Sequence, residues 1–408
     1  MSKRSPLKIA LALLVAAPAL AARLGGVEPG PYASVALFGA AIVASAFLLA
    51  WAAEAAQVDI SASLATALLA LIAVLPEYAV DLYFAWSSGH RPEMAAFAAA
   101  NMTGSNRLLI GFGWPLAVLV CAAGMRRRGE PWADVQMEPR NRVELALLAI
   151  ASLFAFVIPL SHEISLVDSA VLLGLFAAYA WRVSREERHE PDLVGVAAEI
   201  AALARGRRRL LVTGLFAAAG AFILTSAQPF ADALVASGAR LGVDEFLLVQ
   251  WLAPLASEAP ELLVAALLAW RGSAGAAIGM LLSSKVNQWT LLVGSLPVAH
   301  LIGGGAGGLP LDARQVEEFY LTAAQTVLGF AVLANLRFSR SEAAALLGMF
   351  LLQFPFPGRE IRLVFSAAYL VLAAAILVRN RRALPALARA LWPPARGGNP
   401  AGSGGGPP

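Results

Sequence analysis

Long apolar segments separated by short charged stretches are the main pattern of this chain. A helix needs about 20 mostly apolar residues to cross a bilayer, and about twelve segments of helical rather than strand character approach that length. The pattern therefore predicts an all-α polytopic membrane protein. The predicted spans are 8–23, 33–53, 61–86, 94–121, 143–160, 166–182, 210–237, 244–270, 274–302, 316–336, 341–354 and 361–378.

A Pro-Glu pair occurs in two of these segments, at 76–77 and again at 260–261, and in both a Trp follows nine residues after the Glu. A carboxylate inside hydrocarbon is costly unless it serves an ion path. The adjacent proline frees a backbone carbonyl one turn earlier, and that oxygen can ligate a hard cation. The duplication predicts a transporter whose two half-sites meet at one place.

The segment that follows each Pro-Glu pair carries a patch of small polar residues at midspan. Such residues also hold membrane helices together, so any single Ser or Thr has packing as an alternative role. Clustering beside the two glutamates favours a binding site. The patches are Asn101, Thr103, Ser105 and Asn106 in the first segment, and Ser283, Ser284, Lys285, Asn287, Gln288 and Thr290 in the second.

The amino-acid composition limits the classes of molecule that this protein is expected to bind. The chain is 59% hydrophobic and 14% charged, and its formal charge of +4 lies mainly in loops and the C-terminal tail, where arginine favours the cytoplasmic side and anionic lipid. We therefore expect membrane lipid and transported cations as partners, and no nucleic acid. Cys121 is the only cysteine, which excludes an intramolecular disulfide and a cysteine metal cage. No cofactor is expected beyond the transported cation, and the oligomeric state stays open.

Loop charge predicts the orientation. One assignment places every strong basic cluster in the cytoplasm, including Arg126–Arg128, Arg205–Arg209 and Arg379–Arg382, so a multi-pass protein of the cell membrane with a cytoplasmic C-terminus is expected. The helix with Glu77 then runs outward and the helix with Glu261 runs inward. The two repeats are therefore inverted, an arrangement that supports alternating access to a midplane site.

The same assignment divides the chain into segments. The N-terminal segment reads either as a retained helix or as a cleaved signal sequence. The expected segments are 1–32 as that N-terminal helix or signal, 33–182 as the first repeat, 183–209 as a cytoplasmic linker, 210–354 as the second inverted repeat, 355–380 as an extra membrane helix, and 381–408 as a disordered tail.

The motifs resemble those of the cation/calcium antiporter superfamily, sodium/calcium exchanger type, in which a Pro-Glu helix precedes a Gly-Asn-x-x-Gly-Ser-Asn helix. Residues 101–106 follow that pattern closely, and residues 279–285 follow it in degraded form. The resemblance covers about 33–121 and 210–302 and implies two inverted five-helix repeats. It also implies Glu77 and Glu261 as the central metal-coordinating carboxylates, with Ser105 and Ser284 as hydroxyl ligands.

The chain departs from the family pattern at flanking positions. Where the family has Thr-Ser before Leu-Pro-Glu, this chain has residues 73–74, Ala-Val, in one repeat and residues 257–258, Ser-Glu, in the other. Where the family has a further Asn or Asp ligand, this chain has Leu109 and Gln288. The expected cation-binding set is Glu77, Glu261, Glu258, Ser105, Ser284, Asn106, Gln288 and Ser257, with Asn101, Asp81 and Asp232 as secondary candidates.

Two basic residues fall inside the predicted bundle, Arg107 and Lys285, and each is expected to face an acid. Lys285 either replaces a coupling ion or exchanges a proton, or it forms a structural ion pair with Glu258 or Glu261. Three acids against two bases leave one formal negative charge, which suits a monovalent ion or a proton. The histidines at 90, 162, 189 and 300 are expected at the surface, without metal-ligand spacing.

The sequence therefore predicts a secondary-active antiporter that exchanges calcium or another cation for sodium or protons, with no catalytic residues. Sodium/proton exchange without calcium is the alternative within this class. A more distant alternative is an intramembrane hydrolase that uses paired glutamates to activate water. A channel is also conceivable, but two opposed charged half-sites in kinked helices favour gated exchange.

Overall fold

The structure, a computed structural model, describes residues 4–59, 75–184, 193, 195–354, 356 and 358–391. Helices form nearly all of it. They are α1 (Arg4–Leu24), α2 (Pro31–Ala56), α3 (Leu75–Ser87), α4 (Met94–Leu108), α5 (Trp114–Arg128), α6 (Arg142–Phe154), α7 (Leu166–Val183), α8 (Gly195–Ala201), α9 (Arg205–Leu241), α10 (Glu245–Trp270), α11 (Ala274–Asn287), α12 (Val293–Ile302), α13 (Ala313–Leu333), α14 (Arg340–Leu351), α15 (Arg359–Arg379) and α16 (Leu384–Ala390).

The predicted all-helical membrane architecture is confirmed. Each predicted span coincides with helix to within a few residues, except that residues 61–74 lie outside the described residues. Eight of the described helices are long and apolar enough to cross a bilayer, and α4 and α5 together form one of these. The predicted number of about twelve spans is therefore approximate.

Local sequence explains where several helices begin. Ser165, Asp312 and Ser339 each accept a hydrogen bond from the backbone N–H three residues later, and the residue there bonds back to the cap. These reciprocal bonds satisfy backbone donors that a helix start otherwise leaves free. Helix α5 ends at Gly129, whose φ of 72° is readily adopted only by glycine.

The helices of the two repeats interleave. The long helix α9 packs along α2, and α1 covers both. Helix α10 lies against α2, α4, α5 and α9, so that the helix with one Pro-Glu pair is surrounded by elements of the other repeat. Helices α13 and α15 pack together beside α4. The centre of the bundle therefore lies where α3, α4, α10 and α11 meet.

Two short antiparallel strand pairs connect loops at the ends of the bundle. Strand β1 (Val135–Gln136) pairs with β4 (Arg337–Phe338), and β2 (Glu163–Ile164) pairs with β3 (Leu309–Pro310). Each pair joins a loop of the first repeat to a loop of the second. The repeats are therefore in contact outside the helical core as well as within it.

A π-helical turn interrupts the polar helix of each repeat. One turn spans Leu109–Gly113 between α4 and α5, and the other spans Gln288–Leu292 between α11 and α12. Each begins four residues after the serine that matches the family pattern, which is Ser105 in the first repeat and Ser284 in the second. Single π turns occur often at functional sites. Their equivalent positions are an internal symmetry of the fold that no sequence pattern had indicated.

The linker and the C-terminal tail each contain a short helix. In the linker, α8 buries Val196 and Ile200 against α1 and α2. In the tail, α16 packs on α6 with Leu387 buried, so the prediction of disorder from 381 onward is wrong for this stretch. Apolar residues at helical spacing account for both. The charged linker residues 185–192 and the tail from 392 to 408 lie outside the described residues.

Ion pairs also attach the end of the linker to the residue that follows α2. Arg208 donates hydrogen bonds of 2.7 and 2.8 Å to the carboxylate of Asp59, which follows α2. Arg205 and Arg209 lie 3.8 and 3.5 Å from the same carboxylate. These hydrogen bonds, together with the three positive charges, lower the pKa of Asp59 despite the opposing effect of desolvation. Asp59 is therefore ionised at neutral pH and anchors the start of α9.

Candidate cation-binding site

Three glutamates enter the centre of the bundle from two helices. Glu77 lies beside Pro76 in α3, and Glu258 and Glu261 lie in the middle of α10 around Pro260. A proline inside a helix lacks the N–H that the carbonyl four residues earlier would accept, so the backbone oxygen of Ala256 is left without its helical donor. The Pro-Glu motif therefore places carboxylate oxygens and a free backbone oxygen at a similar position along α10.

Gln288 links the glutamates of the two repeats. Its side-chain amide donates a 3.0 Å hydrogen bond to Glu77 Oε2 and a 2.6 Å hydrogen bond to Glu258 Oε1. Gln288 is also the first residue of its π turn, which aims the amide towards α3 and α10. The structure therefore brings Glu77, Glu258 and Gln288 together, as the sequence predicts for a shared site.

Several oxygens around this junction have no hydrogen-bond partner in the described part of the chain. They are Glu77 Oε1, Glu258 Oε2, Glu261 Oε2, Gln288 Oε1 and Asn287 Oδ1. Buried polar atoms are normally paired, and hard cations such as calcium prefer oxygen ligands. Among the described residues, no three His, Cys, Asp or Glu side chains converge closely enough to hold an ion. In this conformation the unpaired oxygens lie around the junction of the three glutamates and do not form a complete coordination shell for an ion.

The predicted hydroxyl and amide ligands fall into two groups. Ser105 neighbours Glu77, and Ser284 neighbours Glu261. The Ser257 hydroxyl bonds to backbone carbonyls of its own helix at 3.2 and 3.3 Å. Asn106 donates to the Met102 carbonyl at 2.7 Å and is also bound to Lys285. The serines of the two polar helices thus lie beside the glutamates, although the Ser105 hydroxyl also donates to the Asn101 carbonyl at 2.9 Å, while Ser257 and Asn106 bind other groups of the protein.

Lys285 is fully buried and does not pair with a glutamate as predicted. Its ammonium donates to Asn106 Oδ1 at 2.5 Å and lies 4.4 Å from the centre of the Trp289 ring. No ion pair joins it to Glu258 or Glu261, although Glu258 and Glu77 are its electrostatic neighbours. The structural ion pair, one of the alternatives for Lys285, is therefore absent among the described residues, and the charge of Lys285 acts on Glu258 and Glu77 at a distance.

Arg107 does face an acid, but away from the three glutamates. Its guanidinium pairs with Glu318 of α13, donates a 2.5 Å hydrogen bond to Gln353, and stacks 4.9 Å from the centre of the Trp251 ring. The structure therefore places Arg107 beside an acid, as expected, but apart from the three glutamates with which it was counted. Its hydrogen-bond partners Glu318 and Gln353 lie more than 200 residues later in the chain, and the sequence contains no indication of those contacts.

The structure places the three secondary candidate ligands in two different regions. Asp81 and Asn101 are both fully buried and face each other beside Glu77. Asp232 lies elsewhere: it accepts hydrogen bonds of 2.9 Å from the Tyr83 hydroxyl and lies 3.6 Å from Arg91, with 39% of its side chain exposed. The structure therefore brings Asp81 and Asn101, but not Asp232, to the buried carboxylates.

One histidine differs from its expected surface position. His300 is only 6% exposed, and its Nδ1 lies 2.7 Å from the Ser88 hydroxyl. Its helix α12 packs on α3, and the ring lies directly against Gly305, where any side chain would collide with it. The apolar residues around His300 in the sequence were the available signal for burial.

Sequence reasoning missed Gln250 and Glu318. Gln250 is buried and donates to Glu318 at 3.1 Å and to Thr103 at 3.4 Å, so it joins α4, α10 and α13. Its backbone oxygen also lies directly against Gly104, where a side chain would collide with it. Isolated polar residues inside apolar helices mark such contacts, and Gln250 and Glu318 both fit that description.

Comparison with known proteins gives concordant results. A family model described as sodium/calcium exchanger protein matches residues 31–185 and 211–356. A putative antiporter CaxA from Alkalimonas amylolytica is 28% identical over 144 residues, or 35% of this chain, and that match spans 43% of the relative's length.

Solved structures also match. A crystal structure of the H+/Ca2+ exchanger CAX is 40% identical, covers 95% of this chain and 99% of its own, and superimposes with a TM-score of 0.89. Native YfkE shares the fold at 14% identity and a TM-score of 0.63, covering 90% of this chain and 99% of its own. The predicted exchanger-like fold of two inverted repeats is thereby confirmed.

Proposed function

Because this chain belongs to the sodium/calcium exchanger protein family, we propose that it is a secondary-active antiporter that exchanges calcium for protons by alternating access. The shared site lies between the repeats at Glu77, Glu258 and Glu261. Calcium and protons compete for the same carboxylates, which couples their opposite movements. Cation antiport is the general activity, and calcium and the proton are our specific assignments.

The charge balance carries this proposal. Arg107 is neutralised by Glu318 outside the site, and Asp81 lies beside Glu77, so four carboxylates face only one internal ammonium. With all groups ionised, Glu77, Asp81, Glu258 and Glu261 against Lys285 leave three formal negative charges. The sequence had suggested one. Three negative charges buried together favour a divalent cation over a monovalent one.

The same count supports protons as the exchanged ions. When calcium leaves, two protons on the carboxylates restore the charge that the cation carried. Leu109 offers no ligand where the family has Asn or Asp, and Lys285 already fills part of the polar region, so oxygen ligands for additional sodium ions are few. The match to a solved H+/Ca2+ exchanger at 40% identity agrees with this assignment.

Gln288 provides the physical link for alternating access. Its amide donates to a carboxylate of each repeat, so it holds the two half-sites together while the cation is absent. A calcium ion that binds Glu77 and Glu258 replaces this amide as the bridging group. Binding and release then change what connects the two halves, which is the kind of differential contact that a conformational cycle requires.

The test is uptake of radioactive calcium into proteoliposomes. One set carries an outward proton gradient, another an outward sodium gradient, and a third no gradient. We expect uptake with the proton gradient only, abolished in Glu261→Gln and retained in Glu93→Gln, which removes an exposed carboxylate outside the site.

Uptake driven only by sodium would contradict the proton assignment. Absence of calcium uptake under every gradient would contradict the calcium assignment. Sodium/proton exchange is the second candidate function, and proton release on addition of sodium to the same vesicles would then identify it.

A further inference from the structure

Asp81 and Asn101 form a polar pair with unusual surroundings. Both side chains are completely buried, and they face each other between α3 and α4. Neither carboxylate oxygen of Asp81, and neither amide atom of Asn101, has a hydrogen-bond partner of normal geometry in the described part of the chain. Four unpaired polar atoms in one buried place are rare in proteins, since such groups are nearly always satisfied.

Glu77 adjoins this pair. Asp81 follows Glu77 by one helical turn, so both carboxylates project from the same face of α3 and interact electrostatically. Glu77 uses Oε2 to accept the Gln288 amide and leaves Oε1 without a partner. Three oxygen-bearing groups therefore meet here: the Asp81 carboxylate, the Asn101 amide oxygen and Glu77 Oε1.

A structural role alone does not account for the pair. Asn101 faces the Asp81 carboxylate, but no hydrogen bond of normal geometry joins the two side chains in the described part of the chain, whereas a purely structural pair would form one. Two adjacent carboxylates without a nearby cation are strongly unfavourable in a low-dielectric interior. The one buried ammonium, Lys285, is bound to Asn106 and has Glu258 and Glu77 as its acidic neighbours. A cation between Asp81 and Glu77 would satisfy all of these groups.

The pair has no counterpart in the second repeat. The equivalent positions hold Ala265 and Met280, which cannot ligate a hard cation. The feature is therefore not half of the duplicated central site, and it lies to one side of the junction between Glu77 and Glu258. Further along α3, Tyr83 contacts the partly exposed Asp232. Asp81 thus stands between the central site and a polar cluster that reaches the surface.

We propose that Asp81, Asn101 and Glu77 Oε1 form a second subsite for a divalent cation of the calcium type, present in the first repeat only. This inference rests on the proposed function. The subsite receives the cation on its way between the surface near Asp232 and the central site. Its low number of charged ligands makes it the weaker of the two sites, as affinity for calcium rises with ligand charge and rigidity.

Equilibrium binding of radioactive calcium to the purified full-length chain tests the subsite. For the wild type we expect two classes of bound calcium. Asp81→Asn, which conserves volume, should lose the weaker class and about half of the calcium bound at saturation. Asn101→Ala should weaken the same class by about tenfold. Glu93→Gln, which removes one exposed carboxylate, should bind like the wild type. Size-exclusion profiles and melting temperatures verify that each variant is folded.

The outcomes separate the two proposals. If Asp81→Asn binds as much calcium as the wild type with the same affinity, while Glu261→Gln loses binding, the subsite is wrong and the central site stands. If the wild type binds no calcium, the proposed function fails first. If Asp81→Asn is misfolded, the calcium-binding isotherm of Asn101→Ala tests the subsite instead. An isotherm like that of the wild type would overturn the subsite. Loss of the weaker class of bound calcium alone would support it.

Discussion

Asn106 and Lys285 occupy the same position in the two repeats and are in contact with each other. Each follows the serine of its polar helix, and the Lys285 ammonium donates to Asn106 Oδ1 at 2.5 Å. Equivalent residues of inverted repeats that touch each other must lie close to the pseudo-two-fold axis. The axis of this protein is therefore marked by an amide and an ammonium, which makes the two halves of the site chemically unequal.

Replacing that ammonium by the residue of the other repeat, Lys285→Asn, should raise calcium affinity. The change removes a positive charge near Glu77 and Glu258 and leaves a hydrogen-bonding side chain. We expect the calcium concentration for half-maximal uptake to fall by about tenfold, equal to about 1.4 kcal/mol, and turnover to slow because release becomes harder. Lys285→Arg, which keeps the charge, is the control. A higher half-maximal concentration in Lys285→Asn would contradict this reading.

Gln288→Leu, which copies Leu109 of the first repeat, should abolish most transport. Both Glu77 and Glu258 lose their shared amide donor, and an apolar side chain replaces an oxygen ligand. We expect uptake rates to fall at least about tenfold, because leaving buried charged groups unpaired costs on the order of 2 kcal/mol. Initial rates of calcium uptake measure this. Wild-type rates in folded Gln288→Leu would show that the bridge is dispensable.

Breaking the Arg107–Glu318 pair should affect stability and not ion selectivity. Both side chains are buried, so Glu318→Ala leaves an uncompensated guanidinium, a change that typically costs about 3–5 kcal/mol. The double variant Arg107→Leu with Glu318→Leu should recover much of the loss. Thermal unfolding in detergent gives the comparison. A normal melting temperature combined with altered preference between calcium and sodium would instead assign Arg107 to the transport site.

Gly104→Ala should impair both folding and transport. The added methyl group would collide with the backbone oxygen of Gln250, at a contact between α4 and α10 that neither backbone can relieve alone. The matched control is Gly214→Ala in α9, where no atom lies within 4 Å of the new Cβ; that change should stabilise the helix by about 0.5–1 kcal/mol. The melting temperature and the calcium uptake rate of the two variants, Gly104→Ala and Gly214→Ala, test this prediction. Equal behaviour of the two variants would refute the close contact.

The Asp59 cluster predicts a defined pH dependence. Hydrogen bonds from Arg208 and the nearby arginine charges lower the pKa of Asp59 in the folded protein. A group with a depressed folded pKa contributes stability above its unfolded pKa of about 3.9 and loses that contribution as pH falls through the folded value. The difference in melting temperature between wild type and Asp59→Asn should be constant from about pH 8 to pH 5, shrink below about pH 4, and vanish only at a pH below the depressed pKa of the folded state. A difference that grows on acidification would contradict the assignment.

The sequence was informative where chemistry is local or duplicated. The two Pro-Glu pairs and the polar patches predicted the family and the inverted-repeat fold, both of which are confirmed. They also predicted that Glu77, Glu258 and Gln288 share one place, and the structure brings them together. These predictions succeed because burying a carboxylate in hydrocarbon is so unfavourable that its occurrence twice, at the same spacing, leaves few explanations.

The errors concern partners that only tertiary structure supplies. The neighbour of Arg107 is Glu318, and that of Lys285 is Asn106; in each case the contact joins helices far apart in the chain. Sequence spacing cannot tell which acid compensates which base when several candidates lie at similar depth. Removing Arg107 from the site changes its expected formal charge from one negative to two, and counting Asp81 beside Glu77 makes it three, which changes the favoured cation.

Lys285 is attached to the protein, so its charge never crosses the membrane. A free cation held at the same place would bring its own concentration gradient and a share of the membrane potential to each cycle. The Lys285 ammonium neutralises part of the negative charge of the site. Because it stays bound to the protein, it brings no concentration gradient that could drive transport. Under the proposed exchange of calcium for protons, the limiting gradient is therefore determined by calcium and protons alone, whatever the sodium concentration around the cell.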